Sequence, residues 1–510
     1  MTTPAAPYCS KVVSADEAVA LVRSGQTLAV GGAGGVQEPD ILIEALAARY
    51  RSTGEPAGLT EFHPIRTGEI DGRGTSLFGA RGLVKRMIGG SLWPVGVPDL
   101  IKLIHANEIE AYNYSIGIMY ALLEAAAAGR PGIVSRVGLQ TFVDPRLGGG
   151  ALNAVSQGKG LVSEIEIDGE RLLYYRTVPV DVALIRGTSA DEDGNISMEE
   201  EPAICGSLLL AQAARATGGK VVVQVKRIVP RGHISPHAVR VPGILVDAVV
   251  VHPGQRQITH VDYDPTLVGA APFDLTKVAA LEAGDKKVVL RRALQMAGRG
   301  DVVAIGFGLP GYLPAVALED GVFGDITFTI EHGVIGGVNG YAAGGKTFPV
   351  SHAPQAIVDA ADQLRLYAGG GIDIAYLGIG EFDMAGNVNV SLFGDRIPGA
   401  GGFIEMTQGI RRVCFCTIIG DRPARKLVDR VQQISFSGER AAATGQEIVY
   451  VTELGVFRLT TSGLVLEEIA PGMTVDSLSS RLGRQLQAAP ELREMPQSCF
   501  AASQAALTAQ

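Results

Sequence analysis

In the segment FTIEHGVIGG, residues 328–337, one carboxylate, Glu331, ends an apolar run and stands directly before a glycine-rich turn. Such an acid is either a solvated strand end or a carboxylate held at the mouth of a cleft. In the second case Gly333, Gly336 and Gly337 let a substrate come close, and a carboxylate so placed can attack an acyl group. Glycine-rich segments elsewhere could serve that reaction. GFGLPG (306–311) follows an apolar run and sets Pro310 near the first position of a helix. Its residues Gly306, Phe307, Gly308, Leu309 and Pro310 suit a structural turn, a phosphate cradle or a dinucleotide site. The dinucleotide site needs a ribose-binding acid about 20 residues on, and Glu319 and Asp320 lie closer in. GAGGF (399–403) is either a flexible connector or a loop that aims N–H groups, at Gly401 or Gly402, at a developing oxyanion. GGAGGVQEP (31–39) and DPRLGGG (144–150) are loops of the same kind.

Other groups point to less chemistry. HISPH (233–237) has His-x-x-x-His spacing, but Pro236 disfavours the helix that would put both rings on one face, so no metal site is expected. Cys414 and Cys416 alternate on an apolar run, which places both on one face as packing. KRIVPRGH (226–233) is basic and is either a phosphate contact or a solvated loop.

These residues need a scaffold, and the apolar runs describe it. TLAV (27–30), VVVQV (221–225), VVAIG (302–306) and VCFCTII (413–419) are β-branched and bounded by glycine or charge. They alternate with Ala- and Leu-rich stretches of helical spacing, which predicts an α/β protein with a mostly parallel sheet. At 510 residues the chain should hold two or more domains. It also repeats itself. VDVALIRGTSADEDGNIS (180–197) aligns without gaps on IDIAYLGIGEFDMAGNVN (372–389), with five identities at a constant offset of 192. GQTLAVGGAGG (25–35) resembles GDVVAIGFGLP (300–310) in the same order. Two similar tandem domains are expected, 1–285 and 286–490, followed by a mobile tail over 491–510.

Composition limits the partners. The net charge is −9, which leaves no overall positive field to recruit nucleic acid or an anionic membrane. No uncharged apolar run reaches the ~18 residues of a membrane helix, and MTTPAAPYCSKVV lacks the pattern of a secretion signal. The cysteines, Cys9, Cys205, Cys414, Cys416 and Cys499, are odd in number and sparse, which fits free thiols in a reducing, cytoplasmic setting. Glycine accounts for 66 residues, nearly twice the usual share, so many turns are tight or lie against a ligand.

Taken together, these segments resemble the family I CoA-transferases, in particular the single-chain acetate and propionate CoA-transferases with both halves fused. GGAGGVQEP resembles the family's first signature, with Ala33 in place of an aromatic and Gln37 in place of a later glycine. IEHGVIG (330–336) resembles the second signature, Ser-Glu-Asn-Gly and two aliphatics, with Ile330 for the serine and His332 for the asparagine. TFVDPRLGGGALN, IRGTSADEDGNISMEEE and GAGGFIEM are also similar to the fused subfamily.

The resemblance implies two α/β domains facing each other across a cleft that holds Glu331. It implies that Glu331 attacks an acyl-CoA and comes to carry CoA as a glutamyl thioester, with Gly401 and Gly402 as oxyanion donors. Gly306, Phe307, Gly308, Leu309 and Pro310 would then bind CoA. It implies no permanently bound cofactor and no metal; coenzyme A is substrate and covalent intermediate, acyl-CoA and a carboxylic acid are the small-molecule partners, and the enzyme is a homo-oligomer, dimer or tetramer. One departure stands out. AYNYSIGIM (111–119) has Ser115, Ile116 and Gly117 where the family carries Pro-Gln-Gly. Ile116 and Gly32 are expected to border the acceptor acid, and the loss of the amide points to a bulkier or more apolar acyl group than acetate. An acyl-CoA hydrolase and a non-catalytic ligand-binding protein remain open on the same scaffold.

Overall fold

Residues 11–68, 72–92, 98–344 and 348–501 are described by a computed structural model; Cys9 lies outside them. In the first half, seven strands form one sheet: β1 (Thr27–Val30), β2 (Leu59–His63), β3 (Val84–Gly89), β4 (Glu110–Asn113), β5 (Val182–Arg186), β6 (Lys220–Val225) and β7 (Ala248–Val251). Their order is β7-β6-β5-β1-β2-β3-β4, and every pairing is parallel. Successive side chains of a strand point to opposite faces, and all four residues of TLAV are buried, so both faces of β1 are covered. Leu28 and Val30 pack into one core with Leu42 and Leu46 of α1 (Asp40–Thr53). Ala29 faces the opposite core, which contains Tyr120 and Leu123 of α2 (Ile116–Ala127) and Leu210 of α3 (Ser207–Ala216). Both faces are covered, as a buried parallel sheet requires.

The second half begins with α4 (Asp285–Leu294) and builds a ten-stranded sheet from β8 (Val302–Ile305), β9 (Thr327–Ile330), β10 (Val334–Ile335), β11 (Ala356–Ile357), β12 (Ile374–Gly378), β13 (Arg412–Cys416), β14 (Glu447–Val451), β15 (Gly455–Thr460), β16 (Gly463–Ile469) and β17 (Ala488–Glu494). The order is β11-β10-β9-β8-β12-β13-β14-β15-β16-β17. Its middle five strands, β14-β13-β12-β8-β9, reproduce β7-β6-β5-β1-β2, all parallel. Even the register is shared: Ala29 lies opposite Ala183, and Ala304 lies opposite Ala375. The same registers pair Ala29 with Phe62 and Ala304 with Thr329. Two residues further along, the first half has Pro64 where the second has Glu331. The repeat therefore places a carboxylate in one half and a proline ring at the matching position of the other.

The end of the chain corrects one expectation. β17 pairs in parallel with β16, and Met495 and Cys499 are buried. Arg291 donates to the carbonyl of Ala501 at 2.7 Å. Residues 491–501 are thus anchored, not a mobile tail; an edge strand is half solvated, so its composition reads like a loop. Residues 502–510 lie outside the described ones.

The halves share one core, and α2 packs on α5 (Ala360–Ala368) across the junction. α6 (Phe403–Gly409) completes the second half's contribution to that junction. Among the described residues no helix is long and apolar enough to cross a membrane, and no group of three or more His, Cys, Asp or Glu residues could hold a metal.

Candidate active site

Glu331 is the first residue past β9 and opens the tight turn Glu331-His332-Gly333 into β10, where Ile330 pairs with Val334. Gly333 has φ +89, and a Cβ there would collide with the carbonyl of Val358, so this turn accepts only glycine. The turn fixes where the carboxylate emerges. Its Oε2 accepts a hydrogen bond from the N–H of Gly402 at 3.0 Å, while Oε1 makes no bond with a described residue. Gly402 is the N-cap of α6. A Cβ on Gly402 would stand well inside 3.0 Å of Oε2, so glycine is required by the Glu331 carboxylate itself.

The loop that carries Gly402 is no flexible connector. Ala400 N–H donates to Asn113 Oδ1 at 2.8 Å, Gly401 N–H to the carbonyl of Gly90 at 3.0 Å, and Ile116 N–H to the carbonyl of Gly401 at 3.0 Å. Leu92 N–H reaches the carbonyl of Pro398 at 2.7 Å. Asn113, fully buried at the end of β4, also donates to the carbonyls of Gly89 and Gly90. The first half thus holds the second half's glycine loop in place. The two expected oxyanion donors differ here: the N–H of Gly401 is bonded to the carbonyl of Gly90, while the N–H of Gly402 reaches the Glu331 carboxylate.

Glu331 lines a cavity of about 1030 Å³ between the halves. Gly34, Ile65, Ser91 and Ile116 border it from the first half, and Gly306, Phe307, Gly308 and Leu309 from the second. Pro310 is buried beneath that turn and does not line the cavity. Gly32 does not line it either; it is buried at φ +102, where a Cβ would stand 2.7 Å from the carbonyl of Gln37. Gly34, two residues on, takes that place. Phe307, Tyr312, Tyr341 and Phe348 form an aromatic wall, with ring centroids 5.6 to 5.9 Å apart. Lys286 and Lys426 are the basic side chains of the lining besides its histidines. Burial lowers the Lys426 ammonium, and nearby Glu453 opposes that shift.

Burial governs the carboxylates as well. It pushes Glu331 up to about 7, with the Gly402 N–H pulling down and Glu405 pushing further up. Glu405, inside the first turn of α6, is also raised to about 7 by burial, against the hydrogen bonds it accepts. His332 is driven down to about 4 by burial, so its ring is neutral in the working range. Sequence reasoning did not single out Glu405, Lys286 or Lys426, and noted His332 only as a departure from the family's second signature. Only Glu405 carried a signal, an acid inside the apolar run GGFIEM.

The remaining groups lie elsewhere. Lys226 and Arg227 pair with Glu199 and Glu200, and Arg231 pairs with Asp193, so the basic segment 226–233 is neutralised away from the cavity. Cys414 and Cys416 are both buried with sulfurs 3.9 Å apart, and Cys416 reaches the cavity wall.

The sequence profile of the coenzyme A transferase family matches residues 12–252. Caffeate CoA-transferase of Acetobacterium woodii is 37% identical over 96% of this chain and 97% of its own. The crystal structure of the acyl-CoA transferase YdiF apoenzyme from Escherichia coli O157:H7 superposes with a TM-score of 0.91 at 34% identity, covering 99% of this chain and 98% of that one. The same enzyme's thioester complex with CoA superposes with a TM-score of 0.88 at 35% identity, covering 96% of each chain.

Proposed function

Because the chain belongs to the coenzyme A transferase family, we propose that it moves CoA from an acyl-CoA to a free carboxylic acid through covalent intermediates on Glu331. The observation that carries this reading is the state of that carboxylate: one oxygen held by Gly402, the other unbonded, in a cavity walled by both halves. Oε1 attacks the thioester carbonyl, and collapse of the tetrahedral adduct expels CoA thiolate and leaves a mixed anhydride. The thiolate then attacks Cδ of Glu331. The oxyanion formed in that step is Oε2, already on the Gly402 N–H, and the departing carboxylate leaves a glutamyl-CoA thioester. An acceptor carboxylate reverses the sequence, so the thioester bond energy is retained without ATP.

The cavity supplies the binding. At Gly308 a Cβ would meet nothing within 4 Å, which leaves the turn Gly306–Leu309 open to a ligand's close approach. Phe307 and its aromatic neighbours suit the adenine and pantetheine parts of CoA, and Lys286 and Lys426 its phosphates. Ile65, Ile116 and Phe403 exclude water beside Glu331, which favours transfer over hydrolysis. An aromatic acid, like the caffeate in one relative's name, suits the apolar surface of Ile65, Ile116 and Phe403 better than acetate does.

Turnover of acetyl-CoA, butyryl-CoA and caffeoyl-CoA against a panel of carboxylic acids tests the reading. New acyl-CoA should form; release of free CoA alone, or no reaction, contradicts it. In Ile116→Gln the restored amide should shift relative kcat/KM toward acetate by about tenfold, or roughly 1.4 kcal/mol of transition-state preference. An unchanged profile in an active variant shows that residue 116 does not touch the acceptor.

The pH dependence follows from Glu331. Attack needs the carboxylate, and burial raises its proton affinity, so kcat/KM should climb through an acid limb centred near pH 7 and level off above it. A plateau already reached at pH 5 contradicts this assignment.

A further inference from the structure

Glu405 has no part in the steps above, yet its setting is unusual. It is 2% exposed and lies one helical turn beyond Gly402, the donor to Glu331. Its Oε1 leaves α6 and caps the first half's α2, accepting from Ser115 Oγ and from Ile118 N–H at 2.9 Å. A Cβ at Gly117 would stand 2.7 Å from that oxygen, so the cap is closely fitted. Oε2 is buried with no hydrogen-bond partner among the described residues. A purely structural cap does not require a second carboxylate buried near Glu331.

We propose that Glu405 is a positioning residue for CoA transfer: it clamps α2, with Ile116, onto the nucleophile's loop, and its charge destabilises the Glu331 carboxylate relative to the uncharged glutamyl adducts. The proposal rests on Glu331 as the nucleophile. Above about pH 7, where both carboxyls are ionised, the free enzyme holds two buried anions in one junction; acylation or CoA transfer to Glu331 leaves only one. Repulsion is therefore relieved as the reaction proceeds, which lowers the barrier to the adduct. The α2 N-terminus and the donors Ser115 and Ile118 favour the charged form of Glu405, against the burial that raises it to about 7.

The surroundings leave these two acids as the pair that decides the local charge. Tyr120 of α2, Tyr367 of α5 and Tyr175 of the strand Glu170–Arg176 face them, and burial pushes all three phenols up, so they stay neutral. His332 stays neutral above about pH 4. Asp359, raised by burial to about 6, faces Cys205 and Tyr120 and is common to wild type and variants.

Glu405→Gln tests the inference, because the amide oxygen can keep the cap while the charge is lost. Two quantities are read with the acyl-CoA that turns over best: the acid limb of kcat/KM, and the fraction of enzyme carrying CoA at limiting acyl-CoA without acceptor. The limb should move to lower pH by about one unit, and the adduct's formation constant should fall by about tenfold, since both measure the same repulsion. An active Glu405→Gln enzyme with the limb and adduct fraction of wild type overturns the proposal. If the variant does not fold, judged by its melting transition, Ser115→Ala replaces it. With one donor lost, Glu405 takes its proton at higher pH, so the adduct fraction should begin to fall at a higher pH than in wild type; an unchanged dependence overturns the proposal. Glu331→Gln run alongside separates the cases, because an adduct persisting in that variant refutes the nucleophile itself.

Discussion

Glu331→Ala is expected to lower CoA transfer by about four orders of magnitude or more, the scale seen when a covalent nucleophile is removed. The fold should survive. The side chain makes one hydrogen bond, to Gly402, and sits on the cavity wall instead of filling the core. Its proton affinity is raised in the folded chain, so its contribution to stability is complete below about pH 4.5 and is lost as pH rises through about 7. Above that pH, removing the carboxylate should leave the melting temperature unchanged or slightly higher. Glu331→Gln should be nearly as inactive, since an amide can keep the Gly402 bond but cannot form the anhydride. Transfer at wild-type rates by either variant, measured by separating the acyl-CoA products, contradicts the mechanism.

Gly402→Ala should produce the second largest loss, about 100- to 1000-fold in kcat, the range for a missing oxyanion donor. The methyl group would occupy the space of Glu331 Oε2, forcing the carboxylate off the Gly402 N–H, the one donor that holds it among the described residues. The backbone has no other reason to demand glycine, because Gly402 has φ −85, where any residue is comfortable. Gly401→Ala provides the contrast. Its added Cβ stands 4.0 Å from Glu331 Oε1, and the cost is the φ of +59, about 1 to 2 kcal/mol of strain. Kinetics of both variants should therefore rank Gly402→Ala far below Gly401→Ala. Equal activities, with both proteins folded, would show that the Gly402 contact does not serve the reaction.

Much of the scaffold was legible because a duplicated sheet leaves duplicated residues. The offset of 192 runs from Val182–Arg186 onto Ile374–Gly378 and from Lys220–Val225 onto Arg412–Cys416, strand for strand. Glu331 stood out as a lone acid between an apolar strand and a glycine turn, a setting that alone left a solvated strand end open; the resemblance to the family I CoA-transferases supplied its expected role. The surroundings of Glu331 were harder to read. Gly401 and Gly402 are indistinguishable as letters, and only the partner across the junction, Gly90 or Glu331, separates a structural N–H from a reactive one. Gly32 looked like a pocket residue for the same reason, whereas the chain needs it to bend back on Gln37. Glu405 stayed hidden because its partners, Ser115 and Ile118, are distant in sequence and lie in the other half. The tail was misjudged because β17 buries only a few of its side chains, leaving no strong periodicity to read.

Peptide mass spectrometry of the enzyme after exposure to acyl-CoA, with no acceptor acid present, examines the chemistry at its reacting atom. The mechanism predicts that the peptide containing Glu331 gains the mass of CoA less water, that the gain disappears on adding a carboxylic acid, and that Glu331→Gln never shows it. An unmodified Glu331 peptide from an enzyme that is transferring CoA, or CoA attached at any other residue, would contradict it.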